Sequence, residues 1–398
     1  MDDALQLLSA LVAIPSVNAD LSPGAPAEAP IIDWCAGWLR DRGFTVEIVG
    51  SRDGHPSLVA TLAADGAHDL VMLTGHVDTV GVATYRGDPY SASVRDGRIY
   101  GRGTFDMKGG LAAILVAAAR VADRSAAGDP PGVGLVVALV ADEEFGSVGT
   151  EDVLRWIEDR GLNVVASVVA EPSALELTVA HRGFAWFTLE LTGRAAHGSQ
   201  PEHGIDAIAG ASDVIAALAA LQRTLDGAPA HPLLAPGTVR VATINGGVDA
   251  ATVAPSCTMT LERRTLPGET AEDVRRDLES SIATALVGSP ALGWSLRTLV
   301  ARAAFESRPD SVIVRAVRAA AEDRLGRPVP ARGEPFWTDA GLIHGAGIDC
   351  LVFGVAGGGA HSDEEWADVE SVYALTDILE NMLYVYPDAH SAESRPRF

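Results

Sequence analysis

The chain has 398 residues, 47% of them hydrophobic and 21% charged, a composition that allows a sizeable buried core. With 30 Lys and Arg against 53 Asp and Glu the formal net charge is −23, a field that repels nucleic-acid backbones and anionic lipid heads and so excludes both as expected partners. At about 100–200 residues per domain, the length points to two domains.

The cysteines Cys35, Cys257 and Cys350 are odd in number and widely spaced, which supports neither a disulfide framework nor a zinc ribbon and fits a reducing compartment. The N-terminus begins Met1-Asp2-Asp3, without a basic segment and long apolar run. The longest apolar runs are broken by Arg120 or too short to span a bilayer, so a cytoplasmic protein is expected. Only the tail HSAESRPRF is expected to be disordered.

In chain order, valine-rich runs at 44–49, 57–63, 69–75, 134–141 and 164–170 predict strands bounded by Gly, Asp or Pro. Amphipathic or alanine-rich stretches at 31–43, 107–123 and 148–161 predict helices among them. In the first of these, Trp34 and Trp38 stand four apart, predicting one helix face packed into the core. The alternation indicates an α/β domain with a largely buried sheet.

From Phe184 the order becomes strand, helix, strand, strand, helix, strand, ending near Ala301. That is the ferredoxin-like β-α-β-β-α-β unit, long enough to be a domain of its own. A helix at 311–325, a strand at 349–355 and a helix near 369–383 follow. The tail is thus expected to return to the first domain, making the middle an insertion: 1–180 and 301–398 in one domain, 181–300 in the other.

The ends of the predicted strands collect carboxylates and histidines: His76-Val77-Asp78, Asp142-Glu143-Glu144 and Glu171-Pro172. In open α/β sheets ligands bind outside the carboxyl ends of the strands, so these groups are placed to converge. Several carboxylates a few Å apart cannot all ionise without a cation. Histidine and carboxylate without cysteine suits Zn²⁺, Mn²⁺ or Co²⁺. Taken alone, each of these motifs is also consistent with an ordinary strand-end turn.

The stretch GRGTFDMKGG, 101–110, admits two readings. A phosphate cradle needs a lysine directly after glycine and followed by Ser or Thr, whereas Lys108 precedes Gly109-Gly110. The better reading makes Asp106 a bridge between two metal ions roughly 3.5–4 Å apart. The flanking glycines would let the backbone turn sharply.

The motifs GHVDTV, GRGTFDMKGG, ADEEFGS, AEPS and GGGAHSDEEW, in this order, resemble those of the M20-type dinuclear metallopeptidase and deacylase family. That family includes acetylornithine deacetylase, succinyl-diaminopimelate desuccinylase, aminoacylase and carboxypeptidase G2. The resemblance covers nearly the whole chain. It implies a mixed-sheet α/β zinc-hydrolase catalytic domain, with the inserted ferredoxin-like domain serving as lid and dimerisation domain.

Carried over residue by residue, it assigns His76, Asp106 and Glu171 to one metal, and Asp106, Glu144 and His361 to the other. Asp78 is expected to accept the His76 imidazole N–H. Glu143 is implied as the general base acting on a metal-activated water. His197, in GRAAHGSQPEHG, matches the histidine that stabilises the oxyanion, often across a homodimer. Arg264, in LERRTLPGE, matches the arginine gripping a substrate carboxylate, with Arg263 as second choice. Ala251 stands where relatives usually carry Asn, and Ala254 where a proline is common, which leaves specificity open.

The resemblance thus implies two divalent metals, Zn²⁺ favoured over Co²⁺ or Mn²⁺, and a small-molecule N-acyl amino acid as substrate. A dipeptidase or carboxypeptidase is the alternative. His55, His68, His181, His203, His231 and His344 receive no ligand role.

Overall fold

The computed structural model describes residues 3–24, 27–62 and 69–393, so Ala63, His68 and 394–398 lie outside the described residues. Of the HSAESRPRF tail expected to be disordered, 390–393 instead continue the final helix, Val369–Glu393. The chain forms two compact units, one of Met1–Val179, Ser307–Arg332 and Thr338–Phe398, the other of Ala180–Glu306 and Gly333–Trp337.

In the first unit the strands Thr45–Val49, Ser57–Leu62, Gly134–Val140, Leu70–His76, Val164–Val169 and Asp349–Val352 lie side by side in that order. The first two are antiparallel and the second is antiparallel to Gly134–Val140, while the last four run parallel. The sheet is therefore mixed, as expected. Gly134–Val140 is buried at every position. Coverage on both faces is what makes such a strand a continuous apolar run.

The parallel register brings the carboxyl ends of Leu70–His76, Gly134–Val140 and Val164–Val169 to one edge. His76, Asp142 and Glu171 follow directly from it. The helix Gly109–Ala126, buried along Leu111 to Ala119, packs on Val369–Glu393. A small antiparallel sheet, Gly357–Gly358 beside Trp366–Asp368, Arg98–Tyr100 and Ser93–Arg95, draws 101–106 and 359–365 together. Its strands have two or three residues each, too short to carry a periodic signal.

Trp34 and Trp38 do not form the buried face of their helix. Ile31, Ile32, Cys35, Ala36 and Leu39 do, and Trp38 instead lies flat under the Arg42 guanidinium, 3.6 Å from its ring centre. The smaller apolar side chains define the stripe, and the tryptophans flank it half-buried.

The second unit has the strand order Thr238–Gly246, Ser256–Thr265, Gly183–Thr192, Gly293–Arg302, antiparallel throughout. The helices Ala207–Asp226 and Ala271–Ala285 pack together on it. This is the ferredoxin-like arrangement, in which each strand-helix-strand crossover skips one position. Its core gathers Phe187, Leu189, Met259, Leu261, Val214 and Leu278.

The helix Ala207–Asp226 is, by length and composition alone, apolar enough to cross a membrane, contrary to the run-length reading. Alanines carry that hydropathy around Asp213. Only one stripe, including Ala207, Ala211, Val214 and Leu218, is buried within the unit.

Candidate metal centre

His76 ends its strand almost fully buried. Its Nδ1 lies 2.9 Å from the Asp78 main-chain carbonyl and 3.4 Å from the Asp78 carboxylate. The main-chain oxygen, not the expected carboxylate, is thus the nearer acceptor. With Nδ1 donating, the neutral ring turns the Nε2 lone pair toward Asp106 Oδ1 and Glu171 Oε1, each 3.3 Å away. Three acceptors facing one another repel unless a cation or a proton lies between them.

Asp106 divides its carboxylate. Oδ1 faces His76, and Oδ2 faces His361 Nε2 at 3.2 Å; His361 Nε2 is also 3.0 Å from Glu144 Oε2. Two ligand atoms bonded at about 2.0–2.1 Å to one tetrahedral zinc stand about 3.3 Å apart, so both sets have the right span. Glu144 Oε1 is buried without a hydrogen-bond partner. These donors fit two divalent cations sharing Asp106.

The protonation of the metal-free side chains follows from the same crowding. Burial, with Asp106 and Asp339 adding and His76 opposing, pushes Glu171 up to about 7. Burial also raises Glu143 and Glu144. Hydrogen bonds donated to the Asp106 and Glu144 carboxylates raise His361 to about 10. Asp106 itself is held low, because His361 and His76 together outweigh its burial. The centre thus holds protons where it would otherwise hold metal.

Glu143 offers an oxygen within 4.8 Å of ligand atoms of His76 and Glu171. Asp106 and Glu144, not Glu143, make the His361 contacts. The Asp78 carboxylate has a role the sequence did not suggest: it accepts the Glu143 amide at 3.2 Å, the Glu144 amide at 3.1 Å and Asn18 Nδ2 at 2.9 Å. Asn18 Nδ2 also donates to Asp142 Oδ1 at 3.0 Å. Asp78 and Asn18 therefore fix the loop that presents the glutamate pair.

Backbone geometry sets the 101–110 stretch. Gly103 has φ +80, and a Cβ there would come within 2.9 Å of Thr79 Cγ2. Gly110 opens its helix against the strand end carrying Glu171, where a Cβ would lie 2.2 Å from the Ala170 oxygen. Lys108 Nζ is occupied by the Leu11 and Ile14 carbonyls at 3.0 and 2.8 Å, so it does not serve a phosphate. Burial lowers it to about 7 against the pull of Glu365.

Three further groups escaped the sequence reading. Glu365 is wholly buried and accepts hydrogen bonds from the Asp106 loop. Asp339 is buried, accepts Thr150 Oγ1 at 2.6 Å and leaves Oδ1 unpartnered; burial, with Asp78 adding and Thr150 and His76 opposing, raises it to about 6. His55, given no role, gathers with Asp20 and Asp142. There the Arg52 guanidinium, 2.6 Å from Asp20 and 3.6 Å from Asp142, already supplies a positive charge.

In the second unit His197 is exposed. Its Nδ1 accepts the Ser199 amide at 3.2 Å, so Nε2 carries the hydrogen in the neutral ring and is a donor. The Ala251 carbonyl holds the adjoining Gly198 amide at 2.6 Å. Arg264 pairs with Glu262 at 2.9 Å and lies 5.4 Å over the Phe184 ring. Arg263 is buried and bound to Glu269 and the Arg264 carbonyl, so its guanidinium is structural and Arg264 is the more accessible of the pair.

Comparison with known proteins identifies the family. The sequence profile of Peptidase family M20/M25/M40 matches residues 72–384. The chain is 31% identical over 286 residues to an acetylornithine deacetylase of Proteus mirabilis, covering 70% of this chain and 71% of that one. Its fold matches the aminopeptidase PepT of Bacillus cereus with a TM-score of 0.76 at 22% identity, over 96% of this chain and 98% of the other. It also matches the M20 family metallo-carboxypeptidase Sso-CP2 of Sulfolobus solfataricus with a TM-score of 0.77 at 18% identity, over 98% and 100% of the two chains. The chain belongs to peptidase family M20/M25/M40, a family of hydrolases, and its side-chain clusters fit a dinuclear metal site.

Proposed function

We propose that the protein hydrolyses the amide of an N-acyl amino acid, releasing the acyl group as a carboxylate and the amino acid as a free amine. The observation that carries the hydrolytic reading is the divided Asp106 carboxylate, one oxygen toward His76 and the other toward His361, with Glu143 near His76 and Glu171. The acyl side of the reading draws on the likeness to acetylornithine deacetylase.

His76, Asp106 and Glu171 would hold one metal, and Asp106, Glu144 and His361 the other, with Zn²⁺ favoured over Co²⁺ or Mn²⁺ by the imidazole and carboxylate donors. Divalent metals supply Lewis-acid polarisation of the carbonyl and acidify water. Glu143 takes a proton from the attacking water as its oxygen bonds to the carbonyl carbon. It returns that proton to the amide nitrogen as the C–N bond breaks.

The resemblance extends the assignment to His197 Nε2–H as donor to the developing oxyanion, and to Arg264 as the grip on a substrate carboxylate. A carboxylate bound there competes with Glu262. A homodimer is supported by the outward face of the helix Ala207–Asp226, where Ile208 and Ile215 are 46% and 42% exposed.

A peptidase cleaving dipeptides or C-terminal residues is the second reading, favoured by the fold likeness to an aminopeptidase and a carboxypeptidase. Purified protein loaded with Zn²⁺ or Co²⁺ and offered N-acetyl, N-succinyl and N-formyl amino acids alongside dipeptides should release amine fastest from an N-acyl amino acid. Faster release from dipeptides selects the peptidase. No release, together with no metal uptake, removes both.

A further inference from the structure

The loop 101–106 carries two phosphate-cradle features, glycines and a run of inward backbone amides. An anion does lie in the cradle, and it belongs to the protein. Glu365 Oε1 accepts the Phe105 and Asp106 amides, both at 2.9 Å. Oε2 accepts the Gly103 amide at 3.0 Å and Arg102 NH1 at 2.7 Å. Four donors on one wholly buried carboxylate satisfy it completely.

The same clasp reaches the other arm of the centre. Arg102 NH2 donates to the Ser362 carbonyl at 2.7 Å, beside His361, and the Gly101 amide donates to the Glu365 carbonyl at 3.1 Å. The residue before Glu365 behaves differently: Glu364 is half exposed and pairs with Arg95.

We propose that Glu365 is a positioning residue for the metal centre: by filling the backbone cradle of 103–106 while tied through Arg102 to the His361 segment, it sets the Asp106 carboxylate between His76 and His361. This rests on the dinuclear reading above. Asp106 and His361 are both held by the clasp, whereas His76 and Glu171 are set by strand ends. The Asp106, Glu144, His361 set therefore depends on Glu365 more than the other does.

Glu365→Gln tests this, since it turns one acceptor oxygen into an amide group facing only donors. After dialysis against a buffered, low free Zn²⁺ concentration, elemental analysis of the parent and of Glu364→Gln should give two ions per chain. Glu365→Gln should give about one, with the second bound roughly 10–100-fold more weakly, the range seen when a group supporting a ligand is lost. A folded Glu365→Gln protein that melts lower yet binds two Zn²⁺ with parental affinities would show a stabilising role only and overturn the proposal.

Hydrogen exchange on the parent decides the matter even where the variant does not fold. The Phe105 and Asp106 amides should stay protected after chelation, because their acceptor is Glu365; exchange at the rate of an open loop once metal is removed overturns the clasp. A parent that takes up no Zn²⁺ refutes the dinuclear reading instead, and leaves the exchange result to judge the clasp separately.

Discussion

Removing the metals should make stability fall as pH rises, and Glu171 sets the scale. In the metal-free protein its carboxyl moves from the usual 4.5 to about 7, by burial first and then by its acidic neighbours. A group whose pKa is higher folded than unfolded binds more protons in the folded state between those values. Its stabilisation is complete below pH 4.5 and lost as pH rises through about 7. The span corresponds to about 3 kcal/mol, or a fall in melting temperature on the order of 5 °C for a chain of this size.

Asp339, raised to about 6, and His361, raised to about 10, act with the same sign. Lys108, lowered to about 7, opposes them only above that pH. Thermal melts of chelated protein from pH 4.5 to 7 measure the slope. Zn²⁺-loaded protein should show the opposite slope, because His76 and His361 give up their protons to bind metal while the unfolded chain keeps them below about pH 6.5, and chelated Glu171→Gln should lose Glu171's share. A chelated parent whose melting temperature is constant or rises over this range refutes the reasoning.

Asp106→Asn should lower metal affinity at both positions by more than about 100-fold, beyond the loss expected for a supporting group, as titration with Zn²⁺ will read. Glu143→Gln should keep two metals by elemental analysis while kcat drops by roughly 10²–10⁴; a normal kcat removes it as the base. Arg264→Lys should raise KM for carboxylate-bearing substrates with little change in kcat, since a point charge replaces a fork; steady-state kinetics with and without the substrate carboxylate separates this from a general loss. Asn18→Ala should cost about 2–3 kcal/mol in denaturant unfolding, because two hydrogen bonds to buried carboxylates are lost.

Sequence by itself determined the elements and their order. The central strands are legible because a parallel sheet covered on both faces makes every residue apolar, so 134–141 announces itself as a strand that ends at Val140. The ferredoxin-like unit is legible because its helices and strands are long and capped, as at Asp206, whose side chain accepts the Ile208 and Ala209 amides. The ligand types are legible too, since His76, Glu144 and Glu171 follow strands that end at the same edge of a sheet whose direction the strands define.

Only the tertiary structure decided which atom faces which. Asp78 lies two residues from His76, a spacing that predicts the contact its carboxylate makes with the imidazole at 3.4 Å, but not that the same carboxylate also holds the Glu143 and Glu144 amides. Glu364 and Glu365 are identical letters side by side; one lies at the surface and the other fills a cradle built 260 residues earlier in the chain. Local sequence records the period of burial and the chemistry of each side chain. The partner of a buried charge is chosen by chain segments far apart in sequence, because desolvation makes any unpaired alternative too costly once they pack.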